Sequence, residues 1–276
     1  MQKQMTLAGP VSYSGNGLHS GKPVTMTLRP AAPDTGIVFV RTDLPGLPEI
    51  HARAELVTST LRATTLSENG AQVFTVEHLL GTLSALRVDN CRIEMDSPEP
   101  PVADGSGLVF ARLVQQAGRT EQAAEREVYK VDRAFSVYDG DKYIVMLPYD
   151  GMRISFTSLN SHPLLGTQYQ DVELTEASFL EEIAPARTIG FMAEVEQMKK
   201  MGLGLGGTLE NCVVYDDTKC LSRLRFPDEL VRHKILDVLG DLSLLGPWEG
   251  HVLAVKSGHA YNSQLAKKII AYREGK

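Results

Sequence analysis

The chain is poor in cysteine: its 276 residues include only Cys91, Cys212 and Cys220. An odd count with no Cys-x-x-Cys pair argues against both a disulfide framework and a cysteine-built zinc site. Any metal must therefore be held by histidine and carboxylate. Long apolar runs are missing as well. No stretch approaches the roughly 18 residues of a membrane span, and Met1-Gln2-Lys3-Gln4-Met5-Thr6 has no signal-peptide core. No transmembrane segment and a cytoplasmic location are the expectations. Positive charge is in deficit, with 28 Lys and Arg against 34 Asp and Glu and a formal net charge of −6. That argues against a nucleic-acid partner, which needs a concentrated basic surface. A small anionic molecule is still compatible where a few lysines and histidines converge. What is present, 43% hydrophobic and 22% charged residues, suffices for a sizeable core in one large domain or two smaller ones.

Strand patterns open the chain at 11–13, 24–28 and 37–40, separated by Gly, Pro, Asn and Asp turns. Two shorter strand candidates follow, then a helix over 75–86, a strand over 91–95, a proline loop over 97–101 and helical spacing over 107–118. The segment 119–127, with three acids and two arginines, reads as a polar linker. Strands resume at 129–131, 143–147 and 152–156, and helices follow near 176–184, 191–200 and 227–245.

The last of these helices carries His233, Asp237 and Asp241 at i, i+4 and i+8. At about 100° per residue they share a sector of roughly 80°. Val231, Ile235, Val238, Leu239 and Leu242 cluster on the other side, so the apolar stripe faces a core and the His/Asp stripe faces something else. Taken alone, an i, i+4 His/Asp pair also describes a solvated helix face. The segment Leu80-Gly81-Thr82-Leu83-Ser84-Ala85-Leu86 matches Leu239-Gly240-Asp241-Leu242-Ser243-Leu244-Leu245 at five of seven positions. The match reads either as an internal duplication or as chance similarity between two leucine-rich helices. A duplication makes His78 the counterpart of Asp237 and lets two related helices present metal-type side chains across a domain interface. His78 shares its face with the small residues Gly81 and Ala85, and Glu77 stands beside it. A carboxylate there suits a general base acting on zinc-activated water; an exposed Glu-His pair is the plainer alternative.

Together these segments carry a family resemblance. Thr75-Val76-Glu77-His78-Leu79, Val231-Arg232-His233-Lys234-Ile235-Leu236-Asp237 with Gly240-Asp241-Leu242, and Lys256-Ser257-Gly258-His259 resemble the UDP-3-O-acyl-N-acetylglucosamine deacetylases, zinc enzymes of lipid A synthesis. Gly17-Leu18-His19-Ser20-Gly21, Pro101-Val102-Ala103-Asp104-Gly105-Ser106 and Ala186-Arg187-Thr188-Ile189-Gly190-Phe191 extend the likeness in the same order over nearly the whole chain. The resemblance implies an α+β fold of two similar domains, ribosomal protein S5 domain 2-like, each a sheet layered against helices, with the active site between them. The expected domains are 1–124 and 125–276, the second with a hydrophobic insert near 186–210. It further implies zinc held by His78, His233 and Asp237 with a water in the fourth position, and Glu77 as the base. Thr188 is then placed at the developing oxyanion, His259 as the acid that protonates the departing amine, and Asp241 as its partner. The substrate is a UDP-linked acylated amino sugar, and a monomer is expected.

His259 is read on a glycine-flanked loop after the strand ending at Val255. Lys142, Lys234 and Lys256 are candidates for the substrate diphosphate, each being a plain solvated lysine otherwise. His19 is a further substrate-binding candidate, although Gly-Leu-His-Ser-Gly also reads simply as a turn. Phe191, Met192, Val195, Met198 and Leu203 are expected to line a passage for the acyl chain, or to form an ordinary amphipathic face. The run Gly202-Leu203-Gly204-Leu205-Gly206-Gly207 contains a formal Gly-x-Gly-x-x-Gly. It follows a helix rather than a strand, so a dinucleotide site is rejected, and Gly202 is expected to stop that helix. Departures from the family pattern are Ile189, where an aromatic is common, and Asn160-Ser161 before His162-Pro163, where an acid is common. Two rivals are considered. A silent zinc scaffold predicts a lost base or acid, yet Glu77 and His259 are both present. A small-molecule kinase needs a phosphate loop before a helix.

Overall fold

The computed structural model describes residues 2–275. Its helices are α1 (Glu77–Ala85), α2 (Leu108–Ala117), the short α3 (Glu176–Ser178), α4 (Met192–Lys200), α5 (Glu229–Ser243) and α6 (His259–Arg273). Two sheets share one five-strand path, and the second carries a sixth short strand, Tyr129–Lys130, parallel to Trp248–Val255. In the first, the spatial order is Val11–Asn16, Pro23–Pro30, Cys91–Met95, Ile37–Arg41 and Glu49–His51; in the second it is Phe135–Asp139, Lys142–Leu147, Trp248–Val255, Met152–Leu159 and Thr167–Glu173. In each, the last strand in sequence lies between the second and third, parallel to the third and antiparallel to the second. In each half the last strand in sequence is flanked by two helices, α1 and α2 in one half, α5 and α6 in the other.

Both halves also carry extra structure between the fourth strand and the buried helix. In the first it is a three-stranded sheet, Val57–Ser59, Thr65–Glu68 and Ala71–Phe74; in the second it is α3, α4 and the parallel pair Ile189–Phe191 and Val213–Tyr215. A small cluster of Leu165, Val213, Tyr215 and Leu230 supports this second insert. No residue of α4 is buried.

The central contact is α1 on α5, and glycine makes it possible. A Cβ added to Gly240 would lie 2.0 Å from the carbonyl oxygen of Glu77, and one added to Gly81 would lie 3.1 Å from both Gly240 N and the Leu236 carbonyl. The helices therefore cross backbone to backbone, at the two glycines that the leucine-rich match pairs. Leu79, Leu80 and Leu83 of α1 join Val231, Ile235, Leu236, Val238, Leu239 and Leu242 of α5 in one core that continues into both sheets. Because α5 is enclosed on nearly all sides, His233, Asp237 and Asp241 are buried along with its apolar residues.

Two expectations are corrected. The polar segment after residue 118 is not a linker: Arg119–Glu125 is a strand paired antiparallel with Lys3–Leu7, Leu7 opposite Arg119 and Met5 opposite Glu121. A surface ribbon satisfies its backbone by pairing, so it needs little apolar sequence. His259 is not on a loop but is the first residue of α6, with Gly258 at the cap. Leu265, Ala266 and Ile269 are buried along this helix, and Tyr261 and Ile270 pack on the same core, a helical spacing. Gly202, at φ 73°, follows the end of α4 as expected.

Candidate metal centre and cavity

His78 and Glu77 enter from the first turn of α1, and His233, Asp237 and Asp241 from successive turns of α5. The crossing at Gly81 and Gly240 brings these turns together. His78 Nε2 lies 3.6 Å and His233 Nε2 3.4 Å from Asp237 Oδ1. The two imidazoles meet edge to face with centroids 4.7 Å apart. One donor atom from each of the three residues lies within 4.8 Å of the others, and all three residues are buried.

In His233 and Asp237 the other polar atom is engaged elsewhere. His233 Nδ1 faces the carbonyl of Ala186 at 3.1 Å, so it carries the proton and Nε2 keeps its lone pair. Lys234 Nζ donates to Asp237 Oδ2 at 2.8 Å, leaving Oδ1 towards the histidines. Burial lowers the His233 pKa to about 4, Asp237 opposing, so the ring is neutral at pH 7. Burial would raise the Asp237 pKa, but Lys234 and His233 hold it well below its usual value. Neutral imidazoles and an ionised carboxylate are the forms that bind a cation.

A second group adjoins the first. His259 Nε2 is 3.8 Å from Glu77 Oε1, and His259 Nδ1 bonds Asp241 Oδ2 at 2.8 Å. Asp241 is saturated by Thr64 Oγ1 (2.5 Å) and Asn262 Nδ2 (2.8 Å), while the Thr64 backbone N–H donates to Glu77 Oε2 at 3.1 Å. Burial raises the Glu77 pKa against the pull of His259 and His78. Burial would lower that of His259, but Asp241 and Glu77 raise it to about 10. The pair is thus a carboxylate inclined to take a proton and a histidine inclined to keep one. Neither Thr64 nor Asn262 was found from sequence. Asn262 lies three residues after His259, a spacing that points to a shared face only once α6 is known.

Both groups open onto a cavity of about 810 Å³. Of the candidate site residues, Glu77, His78, His233, Asp237 and His259 line it, as do Thr188, Lys142, Lys234, Lys256, His19, Phe191 and Met192. Asp241 stands behind His259. Leu203 is half-buried outside the lining, where Val195, Met198 and Leu209 supply the apolar surface instead. The reason is the turn after α4: Leu203 N–H folds back onto the Met198 carbonyl at 2.8 Å. Lys142 and Lys256 occupy neighbouring strand ends, next to the pair Tyr143 and Val255. Lys256 also bonds Asp141 at 2.5 Å. Among the described residues no helix is long and apolar enough to cross a membrane.

A buried pair of histidines with one carboxylate, flanked by a second carboxylate and an anchored histidine, offers the donor and acid–base groups that metal-dependent hydrolases use. The chain belongs to the family described as LpxC, UDP-3-O-acyl N-acetylglycosamine deacetylase, whose model matches residues 4–271. It is 49% identical over 271 residues to the UDP-3-O-acyl-N-acetylglucosamine deacetylase of Myxococcus xanthus, covering 97% of this chain and 86% of that protein. The proteins of the same name from an Anaeromyxobacter species and from Hahella chejuensis are 46% and 42% identical, over 97% and 99% of this chain and 88% and 92% of theirs.

Proposed function

We propose that this protein is a zinc-dependent amidase that hydrolyses the 2-acetamido group of UDP-3-O-acyl-N-acetylglucosamine, giving the free amine and acetate, in the biosynthesis of lipid A. The observation that carries the reading is family membership over residues 4–271 in a chain whose α1 and α5 converge on a buried His78, His233 and Asp237 cluster. The two domains of the enzyme are 1–124 and 125–276, the metal site between them, and its place of action is the cytoplasm.

The three residues fit zinc by donor type: the Nε2 of His233, whose lone pair the Ala186 carbonyl turns inward, a second imidazole from His78, and one carboxylate oxygen of Asp237, which leaves a coordination position open for chemistry. Zinc held there supplies Lewis-acid polarisation of the amide carbonyl and lowers the pKa of water. Glu77 accepts the proton of the attacking water, for which its raised pKa suits it. His259, kept cationic by Asp241, donates a proton to the departing nitrogen, without which an amine leaves poorly. Thr188 presents its hydroxyl to the oxyanion. Lys142, Lys234 and Lys256 meet the diphosphate, with His19 nearby on the cavity wall. Phe191 and Met192, with Val195, Met198 and Leu209, cover the acyl chain. The test is acetate release from the acylated UDP-sugar by protein of measured zinc content. Loss of release on chelation and recovery with zinc are expected; zinc-loaded protein that releases no acetate would overturn the proposal.

A further inference from the structure

The second insert meets the first half over the cavity at two places, the turn between the strands Val11–Asn16 and Pro23–Pro30 and the insert of the first half, in two unlike ways. One contact is fixed. The glycine run after α4 docks on the first half through backbone groups, with Leu205 N–H donating to the His19 carbonyl (3.2 Å), Gly206 N–H to the Leu18 carbonyl (3.0 Å) and Gly204 N–H to His19 Nδ1 (3.2 Å). A Cβ at Gly206 would lie 2.1 Å from the Gly17 carbonyl oxygen, and one at Gly21 3.0 Å from Leu205 Cβ. Close backbone approach, not nucleotide binding, is what these glycines provide. Two of these three bonds join backbone to backbone, and the third ends on the buried ring of His19.

The other contact can open. Arg62 NH1 and Glu194 Oε2 are 2.8 Å apart, with side chains 44% and 40% exposed, and both residues line the cavity. Arg62 belongs to the turn between the strands Val57–Ser59 and Thr65–Glu68, where its φ of 64° is left-handed. Glu194 sits in the first turn of α4, between Met192 and the passage residues Val195 and Met198. An ion pair half in water is weak and screened by salt. When it parts, the apolar stem of arginine can lie along a bound hydrocarbon while its charge stays wet.

We propose that Arg62 and Glu194 form an openable stop across the apolar passage and so set the length of 3-O-acyl chain the protein accepts. The inference rests on the proposed substrate, so its probe is chosen to work without chemistry. The zinc-loaded protein is titrated calorimetrically with the deacetylated product, UDP-3-O-acyl-glucosamine, carrying acyl chains from short to long. Each methylene buried in the passage raises affinity about fourfold. In the wild type the rise should level off at a definite chain length. In Arg62→Ala and Glu194→Ala it should continue past that length, and in the charge-swapped Arg62→Glu/Glu194→Arg pair the plateau should return. A wild type without a plateau, or the same plateau in all four proteins, would overturn the stop. Acetate release with identical length profiles leaves the proposed reaction standing and removes the stop. A length-dependent plateau that moves as stated, in a protein that releases no acetate, does the reverse.

Discussion

The crossing of α1 and α5 makes a sharp prediction for Gly240→Ala. A methyl group at this position meets the Glu77 carbonyl oxygen at 2.0 Å, its carbonyl carbon at 2.7 Å and its Cα at 2.8 Å. All three are backbone atoms of a buried helix, so no rotamer change relieves the clash. Restoring an ordinary contact near 3.4 Å requires the helices to separate by about 1.4 Å. Alanine gains up to about 1 kcal/mol of helix propensity over glycine, while overpacking of this kind costs about 1–3 kcal/mol or more. The net expectation is destabilisation of about 2 kcal/mol, with the full overpacking cost of about 3 kcal/mol offset by about 1 kcal/mol of propensity, in urea unfolding at unchanged m-value. The same displacement acts on the metal centre, because Glu77 and His78 ride on α1 while Asp237 and Asp241 flank Gly240. Donor atoms now within 4.8 Å of one another would spread, and zinc affinity should fall with stability. Gly81→Ala meets its neighbours only at 3.1 Å and should be the milder change in both measurements. Wild-type zinc affinity in Gly240→Ala would refute the view that the crossing positions the ligands.

His78→Ala, His233→Ala and Asp237→Ala should each lose zinc by metal analysis, whereas Glu77→Gln should keep it and lose about 10²-fold or more in turnover; a Glu77→Gln protein of normal turnover would remove Glu77 as the base. The reaction needs Glu77 ionised and His259 protonated, so its rate should rise with pH through the raised Glu77 pKa and fall through that of His259. The latter is about 10 in the metal-free site and lower beside a cation. Asp241→Asn should shift the alkaline limb to lower pH, and an unmoved limb would dissociate Asp241 from His259. Glu229, buried at the start of α5, accepts from Arg187 N (3.0 Å), Arg187 Nε (2.8 Å) and Arg225 N (2.8 Å). Burial would raise its pKa, but Arg187 and the backbone donors hold it below its usual 4.5. The stabilisation is therefore full above that value and lost as pH falls through the folded pKa. Glu229→Gln, which leaves Arg187 uncompensated, should cost about 3–5 kcal/mol near neutral pH in urea unfolding.

The sequence by itself determined whatever depends on residue type and short spacing. His233, Asp237 and Asp241 repeat every four residues, so any helix there aligns them. The recurring Leu-Gly motif left α1 and α5 as either counterparts or two leucine-rich helices alike by chance, and the ordered motifs from Gly17 to His259 pointed to the family. Strands such as Cys91–Met95 were legible because alternating burial writes itself into a half-buried sheet. The tertiary structure decided everything that depends on which segments meet. Arg119–Glu125 is polar and becomes a strand only because Lys3–Leu7, more than a hundred residues away, satisfies its backbone. The first residue of α6 is His259; the apolar spacing of Tyr261, Leu265, Ala266, Ile269 and Ile270 is legible, but that the helix begins at His259 and so aims it at Asp241 is decided by the packing. Thr64 reaches Asp241 across 177 residues of chain, and no local pattern encodes such a contact. The glycines at 81 and 240 are visible as letters, but their meaning, two backbones pressed together so that ligands from two helices converge, exists only where the helices cross.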